Sequence, residues 1–241
     1  MNGNFKNLIK NKLFSILNQK LVDYIYFIYG CTISKKSYSQ FSEDLLVWNY
    51  LQYKNIKKGK YLDIGSFHPV WISNTHLLHK KGFEGYCIDL SEEKLKFFKF
   101  LRGNKVKTIC GAVSPEKKEF IDYYKFIKKH SFSEIDTISK GTADKYAKKF
   151  GLSYKVLKIK NYHVDEIFRI TGKINFLNID IEGMDTEVLL NCNLKLSDPE
   201  IIVFEDNSSF SDIDPELEEF LKENNYFKLF VTGSSKGFAK K

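Results

Sequence analysis

Acidic side chains directly follow two apolar runs in the second half of the chain. Asp180 closes the run at the start of NIDIEGMD, and Glu205 and Asp206 close the run that ends in FEDN. If both runs are parallel strands, these carboxylates meet at one edge of the sheet, where they would repel one another and have raised pKa values. A divalent cation removes that conflict, and oxygen ligands of this kind suit Mg²⁺ or Mn²⁺.

The same acidic residues also have purely structural interpretations. Glu182 and Asp185 lie where the next helix would begin, so we expect both to cap that helix. Glu205 or Asp206 could bind only a backbone amide. In that case no cation would be held.

A single glycine follows the apolar run YLDI near residue 60. Gly65 lets a ligand approach the backbone closely, and Asp63 can order the turn. Asp89 ends the next apolar run, where it can accept hydrogen bonds from ribose hydroxyls. The sequence lacks G-x-G-x-x-G at this turn, which argues against NAD and FAD. A nucleoside without a pyrophosphate fits both features.

His68 follows the glycine turn and is the histidine with the clearest chemical potential. Its ordinary pKa of about 6.5 suits proton transfer near neutrality, so it can accept a proton from a hydroxyl group. Alternatively, it orients the loop or binds the cation. Pro69 makes the loop rigid. The other histidines lie in helix or linker patterns and are expected to be ordinary surface or core residues: His76, His79, His130 and His163.

Strands and helices alternate along most of the chain, which is typical of a parallel sheet with helices on both faces. A first helix of this series is predicted from Ser39, with Glu43 and Asp44 in its first turn. The predicted strands are 61–64, 85–90, 106–113, 174–179, 201–205, 227–231 and 237–241, the last two forming an antiparallel pair at one edge. The predicted helices are 73–81, 92–101, 164–171, one from 185, and 215–224.

Two segments stand outside this alternation. Apolar residues at steps of three and four predict an amphipathic helix over 5–29, which we expect to pack on its own domain or on a second subunit, with membrane attachment as the alternative. A lysine-rich stretch over 128–151 is longer than an ordinary connection, and we interpret it as a lid over a ligand. The predicted domains are 1–37, a helix with a linker, and 38–241.

Composition restricts the class of protein. The chain has 241 residues, of which 43% are hydrophobic and 15% aromatic, which suits a folded domain of ordinary size. The sequence shows neither a membrane-spanning run nor a secretory signal, and its four cysteines have no disulfide-like or zinc-like spacing. These features predict a soluble protein of the reducing cytoplasm.

The formal net charge of +8 has several interpretations. The lysines are dispersed through helices and loops, which is mostly typical of a solvated surface. A nucleic-acid partner would also suit the charge. A third interpretation is that the positive potential attracts an anionic small substrate, such as a nucleotide-linked molecule.

Three ordered motifs resemble those of the FkbM-type methyltransferases, which use S-adenosylmethionine. They are SQFSEDL at 39–45, YLDIGSFHPVWISNT at 61–75 together with KGFEGYCIDL at 81–90, and LNIDIEGMDTEVL at 177–189. The resemblance implies a Rossmann-like α/β fold with a seven-stranded, mostly parallel sheet, an antiparallel last strand and helices on both faces. It also implies methyl transfer to a hydroxyl oxygen, commonly of a sugar or polyketide.

The resemblance assigns roles to particular residues. Gly65 makes room for the methionyl part of the cofactor, and a likeness to some metal-dependent O-methyltransferases makes Asp180, Glu205 and Asp206 the ligands of Mg²⁺ or Mn²⁺. Gln40, Glu43 and Asp44 are assigned to the site by the resemblance alone, and helix capping is the alternative role for Glu43. The implied cofactor-binding residues are Gln40, Asp44, Asp63, Gly65, Ser66, Ser73, Asn74, Asp89, Leu90, Ala112 and Asp180.

The predicted reaction is an in-line displacement, in which an acceptor hydroxyl attacks the methyl carbon of the cofactor. A cation would bind the attacking oxygen, and His68 or Asp180 would receive the proton. Methylation of nitrogen is less favoured, because NIDI stands where an Asn/Asp-Pro-Pro-aromatic motif would be expected.

The predicted acceptor is a sugar, in particular an anionic nucleotide-linked sugar used for surface polysaccharide. The alternatives are a nucleic acid, a lipid or another small-molecule hydroxyl, or a non-catalytic module that keeps the fold. Nucleic acid is the weaker partner, and the N-terminal helix could join two copies of the chain.

Overall fold

The structure, a computed structural model, describes residues 36–127, 133–206 and 213–241. The predicted helix over 5–29 lies outside the described residues, as do 128–132 of the predicted lid. Residues 37–241 form one compact unit. The division of the chain at residue 37 stays a prediction.

Strands and helices alternate in the described residues largely as the sequence predicts. The helices are α1 Glu43–Tyr53, α2 His76–Lys80, α3 Glu92–Arg102, α4 Lys140–Phe150, α5 Val164–Thr171, α6 Asp185–Leu190 and α7 Pro215–Glu223. The strands are β1 Lys60–Ile64, β2 Glu84–Asp89, β3 Val106–Cys110, β4 Ala112–Ser114, β5 Phe120–Phe126, β6 Tyr154–His163, β7 Phe176–Ile179, β8 Ile201–Glu205, β9 Tyr226–Thr232 and β10 Ser235–Lys240.

The main sheet has seven strands in the order β3-β2-β1-β7-β8-β10-β9. Strands β1, β2, β3, β7 and β8 are parallel, whereas β10 runs antiparallel to both β8 and β9. The strand order reverses beside β1, and a ligand of such a sheet binds at the carboxyl ends of the strands there. This confirms the predicted fold class and the antiparallel pair at one edge.

The side chains of the sheet belong to two hydrophobic clusters, one on each face, because successive residues of a strand point to opposite faces. Leu62 and Ile64 of β1 pack in the cluster that includes helices α5 and α7, whereas Tyr61 packs in the cluster that includes α1 and α3. Helices therefore cover both faces of the sheet, as the apolar, four-residue runs of its central strands require.

The last strands also bind the start of the described chain. Ser235 donates a hydrogen bond to Glu43 (2.7 Å), Thr232 to the carbonyl of Phe41 (3.0 Å), and Tyr50 to the carbonyl of Lys240 (3.0 Å). The bonds of Ser235 and Thr232 fix the start of α1 and the turn before it beside the end of β8, and the bond of Tyr50 joins α1 to the end of β10.

The predicted strand over 106–113 is wrong in one respect, because it divides at Gly111. β3 belongs to the main sheet, whereas β4 joins a second sheet in the order β4-β6-β5. A Cβ atom at Gly111 would lie 2.6 Å from the Tyr162 ring of β6, so the change of sheet requires glycine here. Strands β5 and β6 were not predicted from the sequence.

The lid prediction also changes in its description. Residues 140–150 form helix α4, which begins after Ser139, whose side chain accepts a hydrogen bond from Thr142, and ends at Gly151 in the left-handed conformation (φ 63°). Ala143 of this helix packs on Tyr124 and Phe126 of β5. Helix α4 therefore lies between the second sheet and the loop after β7, where its Tyr146 bonds Glu182. The role of residues 128–151 as a lid over a ligand stays a prediction.

Among the described residues, no helix is both long and apolar enough to cross a membrane.

Candidate cofactor and acceptor site

A cavity of about 320 Å³ opens at the carboxyl ends of β1, β2 and β7, where the strand order reverses. Its volume lies within the range of pockets that hold small molecules. The wall near β2 contains Asp89 and Leu90, and the wall near β7 contains Asp180 and Glu182. Glu205 at the end of β8 also lines it.

Gly65 lies between these walls in a backbone conformation that only glycine adopts easily, with φ of +89°. A Cβ atom there would lie 1.7 Å from the carbonyl oxygen of Asp180. The predicted requirement for glycine is therefore supported, but the close neighbour differs from the predicted one. The main chain of Asp180 occupies the space where a side chain would be.

Asp63 is buried at the end of β1 and both of its oxygens are hydrogen-bonded. Oδ2 accepts from the Thr75 hydroxyl (2.7 Å), and Oδ1 accepts from the Asn178 amide (2.9 Å). Asn74 in turn donates to Asn178 (2.9 Å). Burial raises the pKa of Asp63, while its hydrogen bond with Thr75 and the nearby Arg102 charge oppose that rise. Asp63 and Asn74 line a smaller cavity of about 30 Å³ behind Gly65.

Asp89 faces the large cavity but is also paired within the protein. Its Oδ2 lies 2.8 Å from the Lys94 ammonium, and its Oδ1 accepts from the Ser91 backbone amide (2.7 Å). Burial raises the pKa of Asp89 to about 6, and Lys94 limits the rise. The free lone pairs of its oxygens can still accept bonds from ribose hydroxyls.

Ser133 supplies a second polar group to this wall. Its hydroxyl is buried, lines the large cavity and has no hydrogen-bond partner among the described residues. A buried hydroxyl without a partner costs free energy, so a ligand with a donor or acceptor here would be favoured. A polar nucleoside therefore fits the chemistry of this wall.

The predicted cofactor-binding residues divide into three groups. Those that line the large cavity are Gln40, Gly65, Asp89, Leu90, Ala112 and Asp180. Those that line only the smaller cavity are Asp63, Ser73 and Asn74. Asp44 and Ser66 line neither cavity.

Asp44 and Ser66 instead make hydrogen bonds within the protein, and their predicted role in cofactor binding stays a prediction. Asp44 accepts hydrogen bonds from Ser37 (2.7 Å) and from the Tyr38 backbone amide (2.8 Å), so it shapes the turn before α1. Ser66 donates to the carbonyl of Asp63 (2.8 Å). Both residues stabilise the chain around the site without facing it.

Asp180, Glu182 and Glu205 form an acidic cluster whose carboxylate oxygens lie within 4.8 Å of one another. The cluster shares Asp180 and Glu205 with the predicted ligand set but contains Glu182 in place of Asp206, and metal binding stays a prediction. The Asp206 carboxylate accepts a hydrogen bond from the Asp214 backbone amide (3.4 Å). Binding of a backbone amide is the alternative role that the sequence suggested for Asp206. Neighbouring residues at a strand end point in opposite directions, so Glu205 and Asp206 could not both face the cavity.

Charge repulsion and burial dominate the acidic cluster. Burial first, and Glu205 second, raise the pKa of Asp180, while burial raises the pKa of Glu182 to about 7. Tyr146 of α4 donates a hydrogen bond to Glu182 (2.6 Å), and Ser234 donates one to Glu205 (2.6 Å). No hydrogen bond to the Asp180 side chain occurs within the described residues.

The acidic cluster has the donors that a hard cation prefers, and a divalent ion would remove the repulsion within it. Asp185 is not part of the cluster, although burial raises its pKa as well. Its carboxylate accepts from the backbone amides of Ile181 (3.4 Å) and Glu205 (3.4 Å), so it joins the ends of β7 and β8. Glu182, at φ of 56°, does not cap α6 as we expected.

The geometry at His68 weakens its predicted role as a base. Its Nδ1 accepts from the backbone amides of Val70 (3.1 Å) and Trp71 (2.9 Å). A neutral imidazole with Nδ1 as acceptor carries its proton on Nε2, where it can donate but not accept. Burial, then the Arg102 charge, lowers the pKa of His68. The structure favours the alternative role, in which His68 orients its loop.

Sequence reasoning missed Lys94, Ser133 and Glu182 as site residues, and it did not consider Arg102. Lys94 lies five residues after Asp89 on the next helix, a spacing that could have been noticed. Tyr146 and Ser133 reach the cavity through a fold of the insertion that the sequence pattern does not reveal.

The arrangement described above, with a nucleoside-sized cavity at the strand-order reversal of a seven-stranded sheet, is that of an S-adenosylmethionine-dependent methyltransferase fold. The Methyltransferase FkbM domain model matches residues 63–228, which is more than half of the chain. The chain belongs to the FkbM methyltransferase family.

Solved structures with this fold are only distantly similar. A candidate caffeoyl-CoA O-methyltransferase from Staphylococcus aureus is 12% identical, with a TM-score of 0.46 and full coverage of both chains (100% and 100%). An O-methyltransferase from Bacillus cereus in complex with SAH is 11% identical, with a TM-score of 0.40 and coverage of 93% of this chain and 92% of that one. A candidate RNA methyltransferase from Pyrococcus horikoshii is 12% identical, with a TM-score of 0.42 and coverage of 88% and 96%. No curated protein matches the chain.

Proposed function

We propose that this protein is an S-adenosylmethionine-dependent O-methyltransferase that acts on a hydroxyl group of a sugar, in particular a nucleotide-linked sugar used for surface polysaccharide. The observation that carries the proposal is the acidic cluster in the wall of the nucleoside-sized cavity. Crowded carboxylates beside a cofactor cavity can take up the proton that a hydroxyl group releases on methylation.

Different residues of the cavity would bind different parts of the cofactor. Asp89, Ser133 and the backbone near Ala112 would hold the nucleoside of S-adenosylmethionine, which supplies an electrophilic methyl group when bound. Gln40 and Gly65 lie between the two cavities and would position the remainder of the cofactor.

Asp180 is the group we assign to the acceptor hydroxyl. It lacks a hydrogen-bond donor within the described residues, and burial first, then the carboxylates around it, raise its pKa. A carboxylate with a raised pKa is a stronger base than an ordinary one, so it accepts a hydroxyl proton more readily. Asp180, Glu182 and Glu205 would also hold a Mg²⁺ or Mn²⁺ ion, whose charge favours ionisation of a bound hydroxyl group.

An open groove of about 410 Å³ beside the cavities offers room for the rest of the acceptor. Gln40 and Ile72 line this groove and both cavities, so the three spaces are adjacent. Trp71 lines the groove, is 63% exposed and lies 5.7 Å from the Phe67 ring, centroid to centroid. An exposed indole ring can stack on the C–H face of a sugar, because the face of the ring carries partial negative charge.

The decisive experiment measures methyl transfer from labelled S-adenosylmethionine to a panel of UDP- and GDP-linked sugars, with short DNA and RNA oligonucleotides as comparison. We expect transfer to a member of the sugar panel, a loss of at least tenfold in kcat/KM in Trp71→Ala, and near-normal transfer in Trp71→Phe. Transfer to the oligonucleotides alone would assign the protein to nucleic-acid modification instead.

The same assay, run with and without EDTA, tests the cation. If the acidic cluster holds a required ion, EDTA abolishes transfer and Mg²⁺ or Mn²⁺ restores it. Full activity of a protein verified to be free of metal would reject the ion and leave Asp180 as the base on its own.

A further inference from the structure

Arg102, the last residue of α3, is buried with 3% exposure and directs its guanidinium group toward the segment that follows β1. Its nitrogens donate hydrogen bonds to the carbonyl of Pro69 (2.7 Å) and to the hydroxyls of Tyr61 (2.9 Å), Ser73 (3.0 Å) and Thr75 (3.0 Å). Three of these partners lie between residues 69 and 75, so one side chain fixes both ends of that segment.

The hydrogen bonds continue from Arg102 into the cofactor-side cavity. Thr75 accepts from Arg102 and donates its own proton to Asp63 (2.7 Å). The opposite oxygen of Asp63 accepts from Asn178 (2.9 Å), which accepts from Asn74 (2.9 Å). The chain of bonds therefore runs unbroken from the end of α3 to the wall of the smaller cavity.

Burial of this guanidinium is costly in free energy, because no carboxylate in the described part of the chain lies within ion-pair distance of it. Four oxygen acceptors and the Phe98 ring, 4.8 Å from its central carbon, take the place of an ion pair. A leucine or methionine at this position would fill the core without that cost. Arg102 therefore differs from an apolar core residue in the hydrogen bonds that it donates.

We propose that Arg102 is a positioning residue which, through the hydroxyl of Thr75, holds Asp63 and the segment 69–75 in the arrangement that cofactor binding requires. Arg102 does not line either cavity, so it acts only through its partners. The Arg102 charge also lowers the pKa of Asp63 against the effect of burial, which favours the carboxylate that Thr75 and Asn178 recognise. The segment includes Ser73 and Asn74, which do line the smaller cavity.

Thr75 provides the sharpest test, because it can be changed while Arg102 stays in place. Thr75→Val keeps the shape and removes the hydroxyl, whereas Thr75→Ser keeps the hydroxyl. We expect Thr75→Val to raise the Kd of S-adenosylhomocysteine, measured by calorimetry, about tenfold, since it removes a buried bond to a charged group. Thr75→Ser should restore the Kd to within threefold of the original. Equal binding by both variants and the original protein would overturn the proposal.

Arg102→Lys, alone and combined with Thr75→Val, tests whether the two residues act together. Because both act through Asp63, the double variant should raise the Kd by clearly less than the product of the two single changes. Arg169→Lys, on the exposed face of α5, is the matched control and should change nothing. Independent effects that multiply would contradict the proposed chain.

Hydrogen exchange of the ligand-free protein separates this inference from the proposed activity. Backbone amides between residues 69 and 75 should exchange at least tenfold faster in Thr75→Val than in Thr75→Ser, while those of α5 stay unchanged. This result does not require any ligand. If the original protein failed to bind S-adenosylhomocysteine, the cofactor assignment would fall, whereas uniform exchange in both variants would overturn the role of Arg102 and Thr75.

Discussion

The two walls of the cavity use carboxylates in opposite ways. On the side of β1 and β2, the first wall, Asp89 pairs with Lys94, and Asp63, which lines the smaller cavity behind it, accepts bonds from Thr75 and Asn178. On the wall formed by β7 and β8, the acidic cluster brings three carboxylates within 4.8 Å, with one hydroxyl donor each for Glu182 and Glu205.

The number of hydrogen-bond donors around a carboxylate decides whether it stabilises structure or can bind a proton or an ion. A buried carboxylate whose oxygens are already bonded stabilises the arrangement of its neighbours and has little capacity left for a proton or an ion. Crowded carboxylates with few donors keep that capacity, at a cost in stability that a ligand can offset. In the proposed function, the first wall would hold the cofactor and the second would act on the acceptor.

Removal of a single charge from the second wall should have the largest effect. Asp180→Asn keeps the shape of the side chain and removes its ability to accept a proton, so we expect turnover to fall about 10³-fold. Binding of S-adenosylhomocysteine, measured by calorimetry, should stay within about threefold. Asp122→Asn, in a surface pair with Lys158, is the matched control and should retain full activity. Turnover of Asp180→Asn above one tenth of normal would contradict the assignment.

The two walls meet at Gly65, and a side chain there should disrupt their junction. Gly65→Ala places a Cβ atom 1.7 Å from the carbonyl of Asp180 in a left-handed backbone conformation. We expect a loss of about 3 kcal/mol or more in the free energy of unfolding, measured with urea. Gly141→Ala in α4, where a Cβ atom meets nothing within 4 Å, should instead stabilise by about 0.5 kcal/mol. Equal effects of the two changes would show that the contact is unimportant.

Replacement of one carboxylate by a neutral amide should destabilise the protein on the first wall and stabilise it on the second. Asp89→Asn leaves the buried Lys94 without its partner, so at pH 8 it should destabilise the protein by about 2–3 kcal/mol. Glu182→Gln removes a charge whose pKa is raised to about 7, so at pH 8 it should stabilise the ligand-free, metal-free protein by about 1–2 kcal/mol.

The pH dependence of the Glu182→Gln effect follows from linkage. Glu182 binds its proton more tightly in the folded than in the unfolded protein, so its contribution to stability is present below the unfolded pKa and is lost as the pH rises to about 7. The gain from Glu182→Gln should therefore vanish near pH 4 and be complete above pH 7. Urea unfolding at several pH values measures it, and a gain that stays constant with pH would refute the charge explanation.

The smallest expected effect concerns the hydroxyl that connects the insertion to the acidic cluster. The hydrogen bond from Tyr146 lowers the pKa of Glu182 in the folded protein, and Tyr146→Phe removes that bond. The pKa of Glu182, followed by ¹³C NMR of its carboxyl carbon, should therefore rise from about 7 by less than one unit. Tyr154→Phe, whose hydroxyl bonds the exposed Asp144 at 2.5 Å, should leave it unchanged. An unchanged pKa in Tyr146→Phe would mean that Tyr146 does not influence the cluster.

The sequence was sufficient for the main sheet because its central strands are short apolar runs separated by helices with clear periodicity. The predicted strand 201–205 and helix 164–171 agree with the structure at both ends. The second sheet escaped prediction because β6 alternates lysines with apolar residues and exposes both Val156 and Leu157, so neither face reads as buried.

Prediction of the site was limited by contacts between distant parts of the chain. Asp180 and Glu205 follow directly from their strand ends. Glu182 turns toward the cavity through a positive φ of 56°, and no spacing rule indicates that conformation for a glutamate. The requirement for glycine at residue 65 could be inferred from the turn, but its close neighbour is Asp180, which directly follows β7 and is distant in the sequence.

Strand β10 lies between β8 and β9, although it follows both in the sequence. During synthesis on the ribosome, β8 and β9 therefore emerge with an unfilled gap between them and with open edges that invite wrong pairing. Ser234 and Ser235, which bond Glu205 and Glu43, emerge with this strand. We therefore expect the acidic cluster to reach its final arrangement late, when β10 closes the sheet and Ser234 bonds Glu205.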